Sequence, residues 1–255
     1  MSEDVTAVIL AAGEGKRMQS DRAKVLHEIA GKPLLEHVLV ACERAGIPRA
    51  VVVVGARKEQ VSAFLERRRS AMEVRSAVQD VQRGTGHALS CALPVVSAMP
   101  GARDLVVLCG DAPLIRAHTI GELLRVHRAR DAGATILTAD LEDPTGYGRI
   151  VRTAAGDVAR IVEHRDATEE ERALTEINSA DYVFDRAAVT DALARVTDDN
   201  RQGEFYLTDT IALLEAEGRP ILALKVDDPR EVLGVNTPEQ LAEAERAYVA
   251  RGVEV

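Results

Sequence analysis

The segment that most constrains the fold lies near the start of the chain, where an apolar run ends abruptly in small residues. Residues 5–11 are apolar except for one threonine, and Ala12, Gly13 and Gly15 follow, with two cations after them. A buried parallel strand reads as a continuous apolar run, and open α/β sheets bind ligands just beyond the carboxyl ends of such strands. The segment therefore predicts a first buried strand that ends at a ligand-binding loop.

The residues of this loop are suited to an anion. Alanine and glycine let the backbone come close to a ligand, so that its N–H groups can face a negative charge. Arg17 supplies a planar fork of donors and Lys24 a mobile point charge, which are complementary ways to hold a polyphosphate. Because a lone Gly-x-Gly is a weak signal, a plain strand-to-helix turn explains the glycines as well, and the cations favour the phosphate site.

Two common nucleotide-binding motifs do not fit this loop. A dinucleotide-binding turn needs a third glycine where Met18 stands and an acidic residue at the end of the second strand, but residues 51–54 are all valine and run into Gly55. A Walker loop needs lysine followed by serine or threonine, whereas Lys16 is followed by Arg17. The site belongs to neither class.

Composition and charge exclude several kinds of protein. The net charge of -9 and the lack of an arginine-rich tract argue against a nucleic-acid partner, since like charge repels phosphate. The three scattered cysteines form neither a disulfide framework nor a metal knuckle, and Cys42 and Cys91 fit apolar helical patterns as core residues. The start of the chain has no secretory leader and no apolar run is long enough for a membrane span, so we expect a cytoplasmic protein without membrane contact.

Strands and helices alternate regularly over the first half of the chain, about 1–112. This pattern predicts parallel βαβ units in a doubly wound sheet, with Thr85 as a plausible cap of the third helix. The second half, about 113–255, has shorter and less regular segments, so we expect it to build a lid or substrate pocket on the first. With 255 residues, of which 46% are hydrophobic, the chain fits one large α/β domain.

Two polar residues follow apolar segments at positions suited to a metal. Asp111 comes just past the fourth predicted strand, and Asn236 precedes the last predicted helix. Oxygen ligands at the edge of the sheet that binds a polyphosphate could hold Mg2+ from opposite sides of a crevice. The alternatives are an aspartate in an ordinary turn before proline and an asparagine in an ordinary helix start signal.

A second group of residues is suited to a nucleobase. Gln79 ends the third predicted strand with a donor and an acceptor on one planar group, which can read a base edge. The segment from Gly84 through Thr85 to His87 could let a base or ribose lie close to the backbone. A solvated glutamine and a glycine pair that opens a helix explain the same residues equally well.

Together these motifs resemble the uridylyltransferase domain of the bacterial bifunctional N-acetylglucosamine-1-phosphate uridylyltransferase family, over nearly the whole chain and in order. The segments that carry the resemblance are LAAGEGKRM (10–18), KVLH (24–27), GKP (31–33), Gln79, GTGHA (84–88), GD (110–111), PLI (113–115), DPTGYGRI (143–150), IVEH (161–164), EIN (176–178), QGE (202–204), YLTD (206–209) and GVN (234–236).

The resemblance implies a mostly parallel, Rossmann-like nucleotide-diphospho-sugar transferase fold with a smaller mixed β lobe for the sugar. It implies transfer of UMP from UTP to N-acetylglucosamine 1-phosphate by Mg2+-assisted in-line displacement, a step toward cell-wall precursors. Because the sugar phosphate oxygen is already an anion, this chemistry needs positioning, metal and cations rather than a protein nucleophile. The implied roles are uridine binding by Ala11, Ala12, Gly13, Gln79, Gly84 and Thr85, triphosphate binding and catalysis by Arg17 and Lys24, Mg2+ binding by Asp111 and Asn236, and sugar binding by Gly148, Glu163, Asn178 and Thr208.

The sequence departs from the family pattern at four places. Lys16 stands where threonine is usual and adds a cation, and Ala23 replaces a proline before Lys24, which should loosen the loop. Cys109 replaces a larger residue beside Asp111. The segment 179–181, Ser-Ala-Asp, replaces Thr-Gly after Asn178, and we expect its alanine and aspartate to crowd or repolarise the acetamido side of the sugar.

Alternative functions remain open at this point. One is nucleotidyl transfer to another sugar 1-phosphate or from another base, and a second is a catalytically silent binding subunit of the same fold. Glu163 could also simply pair with Arg149 or Arg165 at the surface. No hexapeptide repeat follows Val226, so we expect neither the family's acetyltransferase β-helix nor the trimer that it forms, and the oligomeric state stays open.

Overall fold

The computed structural model describes residues 4–252. Its strands are β1 Val5–Ala11, β2 Glu28–Ile29, β3 Lys32–Pro33, β4 Arg49–Val54, β5 Glu73–Val78, β6 Asp104–Cys109, β7 Ala134–Asp140, β8 Gly148–Arg152, β9 Val158–Val162, β10 Glu176–Asp185 and β11 Ile221–Lys225. Its α-helices are α1 Leu34–Arg44, α2 Lys58–Arg67, α3 Thr85–Ser97, α4 Ala117–Ala129, α5 Glu169–Arg172, α6 Arg186–Leu193, α7 Asp209–Ala216 and α8 Pro238–Ala250.

The main sheet is parallel where it contains β6, β1, β4 and β5 and mixed beyond these strands. Seven strands run in the order β11-β7-β10-β6-β1-β4-β5, and β8 extends from β10 and pairs with β9. Strand β1 is parallel to β4 and β6, whereas β10 is antiparallel to β6, β7 and β8. This confirms the predicted doubly wound sheet with a smaller mixed lobe, since β10 is the strand that carries the lobe.

The register brings the ends of three strands to one edge. Leu10 of β1 lies opposite Val53 of β4 on one side and opposite Cys109 of β6 on the other. The loops after β1, β4 and β6 therefore leave the sheet together at their carboxyl ends, which is where an open α/β sheet binds its ligand.

Both faces of β1 are buried, as its continuous apolar sequence requires. Ile9 packs on the face covered by α1 and α4, with Leu39 and Val52, and Val8 packs on the opposite face with Leu89 and Val53. Burying one such aliphatic side chain contributes about 1.5–3 kcal/mol. The sheet is thus the rigid part of the molecule from which the loops project.

A separate cluster ties the last helix to the first loop. Met18, Leu34, Leu114, Val235 and Ala244 are buried together with Ile29. Because Val235 precedes the start of α8 and Met18 follows the first cations, this packing holds residues from both ends of the chain against each other.

Two local predictions are wrong. Thr85 does not cap α3, because Gly84 occupies the cap position and Thr85 is the first helical residue, whose hydroxyl accepts a hydrogen bond from the Leu207 amide (3.1 Å). Cys91 is only partly buried, unlike Cys42, and its sulfur lies against His87, one turn earlier on the same helix. Among the helices of residues 4–252, none has the length and apolar character needed to cross a bilayer.

Candidate active site

The loop after β1, residues 12–24, is called the phosphate loop here. Gly15 has a left-handed φ of 66°, and a Cβ built on it would lie 2.7 Å from Lys24 Cβ. A side chain at position 15 would therefore meet both backbone strain and a collision. Glycine at this position lets the Lys24 side chain cross the loop and run toward Gly13, whose own Cβ position would lie 4.0 Å from Lys24 Nζ.

The Lys24 ammonium meets the two residues predicted to bind metal. It donates hydrogen bonds to Asp111 Oδ2 and to Asn236 Oδ1, the latter at 3.1 Å. The side chains of Lys24 and Asp111 are 14% and 15% exposed, so this pair is largely removed from water. The structure thus brings Lys24, Asp111 and Asn236 together from three distant parts of the chain.

The backbone around Asp111 is shaped for this contact. The Val235 amide donates to the Asp111 carbonyl at 2.8 Å, and a Cβ on Gly234 would lie 3.4 Å from both carboxylate oxygens of Asp111. Thr237, rather than Asn236, caps α8 by accepting from the Gln240 amide. The Asn236 side chain is therefore not consumed as a helix cap and its oxygen faces the cluster.

The chemistry of these donors fits Mg2+. Carboxylate and amide oxygens are the hard ligands that this ion takes, and it retains waters and phosphate oxygens in its remaining positions. The Lys24 ammonium between Asp111 and Asn236 shows that the two oxygens face a common cationic position.

Arg17 and Lys16 have different surroundings on the same loop. Arg17 is exposed. The pKa of the Tyr147 hydroxyl is raised, mainly by burial and by the charge of Asp111, and the charge of Arg17 opposes this shift. Lys16 forms an ion pair with Glu14 of the same loop. The extra cation is thus balanced within the loop. Tyr147, which sequence reasoning did not single out, lies within electrostatic reach of Asp111 and Arg17.

The residues predicted to bind the base lie at the end of β5. Gln79 is buried, with 4% of its surface exposed, so the interpretation of a solvated glutamine is wrong. Its Nε2 donates to the Gly84 carbonyl at 3.0 Å and lies 3.1 Å from His87 Nδ1. Because a carbonyl oxygen only accepts, this bond fixes the amide orientation and leaves Oε1 to accept.

The glycines of the following turn have a structural role. A Cβ on Gly84 would lie 2.6 Å from the Phe205 carbonyl oxygen, and one on Gly86 would lie 2.9 Å from it. The Gly86 amide donates to that same oxygen at 2.8 Å. Gly84 and Gly86 are therefore needed because the 205–207 segment of this chain packs against their backbone, where the sequence predicted a ligand. Thr85 binds the same segment, since its hydroxyl accepts from the Leu207 amide.

The predicted sugar-binding residues converge on the lobe formed by β8, β9 and the start of β10, called the side lobe here. Asn178 pairs with Gly148 across β10 and β8, and Glu163 directly follows β9. The Thr208 hydroxyl, at the start of α7, donates to Glu163 Oε1 at 3.0 Å. All four residues therefore lie on adjoining elements.

The surroundings of Glu163 exclude the alternative of a surface ion pair with Arg149 or Arg165. Burial raises its pKa, which the Thr208 hydrogen bond partly opposes. Arg149 is itself buried and donates to the backbone carbonyls of Tyr147 and Leu174, the latter at 3.0 Å. Within residues 4–252, neither Arg149 nor Arg165 forms an ion pair with Glu163, so pairing with either is wrong.

The 179–181 segment forms a bulge in β10. The pairing register shifts between Asn178 and Tyr182, and Ala180 adopts a left-handed φ of 65°. Asn178 Oδ1 accepts from the Ala180 amide at 3.1 Å, and Asn178 Nδ2 donates to the Tyr182 hydroxyl at 2.7 Å. Asn178 thus stabilises a backbone conformation that alanine adopts at a cost.

Asp181 does not lie where the sequence suggested. Its side chain is buried, with Oδ1 accepting from the Cys109 amide at 2.9 Å, and burial raises its pKa to about 7. The carboxylate thus binds the β6 backbone just beyond the last pair of the β6–β10 ladder, Tyr182 with Val107. The expectation that Asp181 repolarises the acetamido side is therefore wrong, because the bulge turns this side chain into the sheet.

Comparison with known proteins identifies the family. A family model described as nucleotidyl transferase matches residues 6–240. The chain belongs to the nucleotidyl transferase family.

Similar curated proteins extend well beyond this chain. The bifunctional protein GlmU of Thermobifida fusca (strain YX) is 48% identical over 255 residues, which cover 99% of this chain and 52% of that protein. The bifunctional protein GlmU of Mycolicibacterium vanbaalenii is 47% identical, covering 98% of this chain and 51% of that protein. The chain therefore spans about half the length of these relatives.

Solved structures with lower sequence identity share the fold. A UDP-glucose pyrophosphorylase complexed with UDP-glucose superposes with a TM-score of 0.77 at 16% identity, covering 96% of this chain and 98% of that one. A putative glucose-1-phosphate thymidylyltransferase from Bacillus anthracis gives a TM-score of 0.75 at 19% identity, covering 98% and 97%. At these identities the likeness establishes the fold alone.

Proposed function

We propose that this chain transfers UMP from UTP to N-acetylglucosamine 1-phosphate, forming UDP-N-acetylglucosamine and pyrophosphate. The observation that carries the proposal is the cluster of Lys24, Asp111 and Asn236 beside the phosphate loop. A cation and two hard oxygen ligands at the carboxyl edge of a parallel sheet suit a nucleoside triphosphate. The match to the nucleotidyl transferase family supports the same reaction class.

The sugar phosphate oxygen attacks the α-phosphorus of UTP, and the bond from that phosphorus to the bridging oxygen of the β-phosphate breaks. Arg17 and Lys24 bind the phosphate oxygens and stabilise the negative charge that develops on the pyrophosphate. Asp111 and Asn236 would hold Mg2+, which supplies charge neutralisation and orientation at the phosphate oxygens when bound. No protein nucleophile is required, so the residues position the reactants in line.

The choice of uridine is supported by Gln79. Since Nε2 is bound to the Gly84 carbonyl, Oε1 is the atom that this side chain offers as an acceptor. The imide N–H of uracil is a matching donor, which cytosine and adenine lack at the corresponding ring nitrogen. Thymine and guanine also carry such an N–H, so Gln79 selects for this donor and not for uracil alone. Ala11, Ala12, Gly13, Gly84 and Thr85 complete the proposed uridine site through small side chains and backbone groups.

The sugar would bind at the side lobe, against Gly148, Glu163, Asn178 and Thr208. A half-buried carboxylate next to a hydroxyl can bind sugar hydroxyls strongly, because the carboxylate is left unpaired when the hydroxyl is missing. Tyr147 directly precedes Gly148 of the side lobe, and the pKa of its hydroxyl is raised by burial and by the charge of Asp111. A sugar bound there would have its phosphate directed toward the cation cluster.

A second candidate is transfer to another sugar 1-phosphate. Ala180 favours this possibility, because its backbone has a left-handed φ and is hydrogen-bonded to Asn178, which the family resemblance assigns to the sugar. A silent binding subunit is disfavoured by the intact cluster of cations and oxygen ligands. We further propose that the chain acts as one domain in the cytoplasm, where UTP and sugar phosphates are found.

The test of this proposal is pyrophosphate release from UTP, with and without Mg2+, in the wild type and two variants. Asp111→Ala should nearly abolish Mg2+-dependent release with the fold intact, since a metal bridging phosphate oxygens contributes several kcal/mol in the transition state. Asp191→Ala, at an exposed position of α6, is the matched control and should behave as the wild type. Full Mg2+-dependent activity of Asp111→Ala would refute the metal assignment.

A further inference from the structure

Two side chains at the start of α2, those of Arg57 and Gln60, bind the backbone of the phosphate loop. Arg57 donates from Nη1 to the Glu14 carbonyl and from Nη2 to the Ser20 carbonyl, both at 3.0 Å. Gln60 accepts from the Ala23 amide at 2.8 Å and donates to the Asp21 carbonyl at 2.9 Å. Four hydrogen bonds thus connect one turn of α2 to four points of the loop.

These contacts bracket the residues that would bind the triphosphate. Arg57 holds the loop on either side of Arg17, and Gln60 holds the residue that directly precedes Lys24. Because Arg57 and Gln60 follow β4, they are anchored to the buried strand next to β1. Rotation of the loop relative to the sheet would break these bonds.

Arg57 adopts a strained conformation to make its contacts. Its φ is 55°, in the left-handed region that a non-glycine residue occupies at a cost. The residue is the N-cap of α2 but makes no capping hydrogen bond with its side chain, which extends to the phosphate loop instead. Strain retained at a residue that binds a neighbouring loop indicates a function for that contact.

The bond from Gln60 explains how this chain accommodates Ala23. Proline is usual there in the family that the sequence resembles, and Ala23 has a φ of -56° and ψ of 135°, which proline could also adopt. Proline has no amide hydrogen, whereas the Ala23 amide donates to Gln60. A hydrogen bond therefore takes the place of the ring at this position.

We propose that Arg57 and Gln60 are positioning residues that hold the phosphate loop in its nucleotide-binding shape before the nucleotide arrives. The proposal rests on the proposed function, because the loop is the proposed triphosphate site. Both side chains are bound to the loop backbone rather than to Arg17 or Lys24, the residues proposed to bind the phosphates. A loop that must be ordered on binding costs affinity, so loss of these bonds raises KM for UTP, while kcat is retained once bound nucleotide has ordered the loop.

The experiment compares Arg57→Ala and Gln60→Leu with Glu59→Gln, an exposed neighbour on α2 that serves as the matched control. Loss of about 1.4 kcal/mol of loop ordering corresponds to about a tenfold rise in KM for UTP. We expect that rise in Arg57→Ala and Gln60→Leu, called the clamp variants here because they remove the two side chains that clamp the loop, with kcat within about twofold of the wild type. An unchanged KM, or a large fall in kcat at unchanged KM, overturns the proposal.

A readout independent of activity uses the basic residues of the loop. Brief trypsin digestion of the folded protein should cleave after Lys16, Arg17, Arg22 or Lys24 faster in both clamp variants than in Glu59→Gln, as measured by mass spectrometry. Equal cleavage rates overturn the proposal. If the wild type released no pyrophosphate, the proposed function would fail, and the trypsin comparison would still decide whether the clamp orders the loop.

A rescue variant separates loop ordering from general destabilisation. Ala23→Pro added to Gln60→Leu should restore KM and the resistance to cleavage after Lys16, Arg17 and Lys24, because the ring fixes the φ that the lost hydrogen bond supported. Cleavage after Arg22 is left out of this comparison, because trypsin does not cut before proline. In the wild-type background the same change removes the Gln60 contact and should give no gain. Failure of proline to restore either readout overturns the assignment of Gln60 as the group that orders Ala23.

Discussion

Replacing Ala180 with glycine should stabilise the protein, although it removes a methyl group from a partly buried position. The φ of 65° places Ala180 in the left-handed region. An L-residue pays about 1–2 kcal/mol there, whereas glycine does not. Glycine adds conformational entropy to the unfolded chain, which costs about 0.4–1 kcal/mol. The methyl that is lost packs against the core and costs about 0.4 kcal/mol at a partly buried position. The free energy of unfolding of Ala180→Gly should therefore rise by about 0.5 kcal/mol relative to the wild type.

Thermal unfolding of Ala180→Gly and two control variants measures this gain. At this chain length 1 kcal/mol shifts Tm by about 2–4 °C, so we expect an increase of about 1–2 °C. Ala30→Gly, at an exposed turn with φ 48°, should give a similar increase. Ala173→Gly, at φ -74°, should lower Tm. A gain in Ala30→Gly without one in Ala180→Gly would refute the claim that the bulge is strained.

The same variant tests whether the bulge affects sugar choice. Asn178 Oδ1 accepts from the Ala180 amide, so a change in the backbone at position 180 should also shift the side chain of Asn178, which is proposed to bind the sugar. We expect the kcat/KM advantage of N-acetylglucosamine 1-phosphate over glucose 1-phosphate to widen in Ala180→Gly and to stay constant in Ala30→Gly. An unchanged ratio in Ala180→Gly would show that this position does not set the choice.

Three further predictions concern ionisable groups of the site. Burial raises the folded-state pKa of Asp181 to about 7 from 3.8, so the folded state retains a proton that the unfolded state releases, and stability should fall as pH rises through this window; Asp181→Asn should flatten the dependence of Tm on pH, and an unchanged slope would contradict the assignment. Lys24→Met should bind Mn2+, used as a probe for Mg2+, more tightly than the wild type in calorimetry without nucleotide, because the competing ammonium is gone from Asp111, and it should lose turnover; weaker Mn2+ binding would refute the shared position. Glu163→Gln should raise KM for the sugar 1-phosphate about tenfold and leave KM for UTP unchanged, since a charged hydrogen bond to a hydroxyl is weakened; a change confined to UTP would remove Glu163 from the sugar site.

Sequence patterns predicted most of the sheet because its central strands are buried on both faces. Continuous apolar runs such as residues 51–54 leave little choice of structure, and the alternation with helices then gives the parallel order. The meeting of Asp111 and Asn236 was also predicted from the sequence, since Asp111 follows a buried strand at the ligand-binding edge of the sheet and Asn236 precedes the last helix.

Contacts between distant loops could not be predicted from local sequence patterns. Thr85 fits a capping pattern, but its hydroxyl binds the Leu207 amide, which only the tertiary structure brings near. Aspartate is usually found at the surface, yet the bulge turns the Asp181 side chain toward the Cys109 amide. The Arg57 contacts depend on an unusual φ that no local sequence signal indicates.

The most direct test of the central claim is the product formed from UTP, Mg2+ and a panel of sugar 1-phosphates, identified by mass spectrometry together with released pyrophosphate. The proposed function predicts UDP-N-acetylglucosamine and pyrophosphate in equal amounts, with the highest kcat/KM for N-acetylglucosamine 1-phosphate and loss of both products in Asp111→Ala. Absence of any UDP-sugar, with the wild type folded and UTP bound, would contradict it.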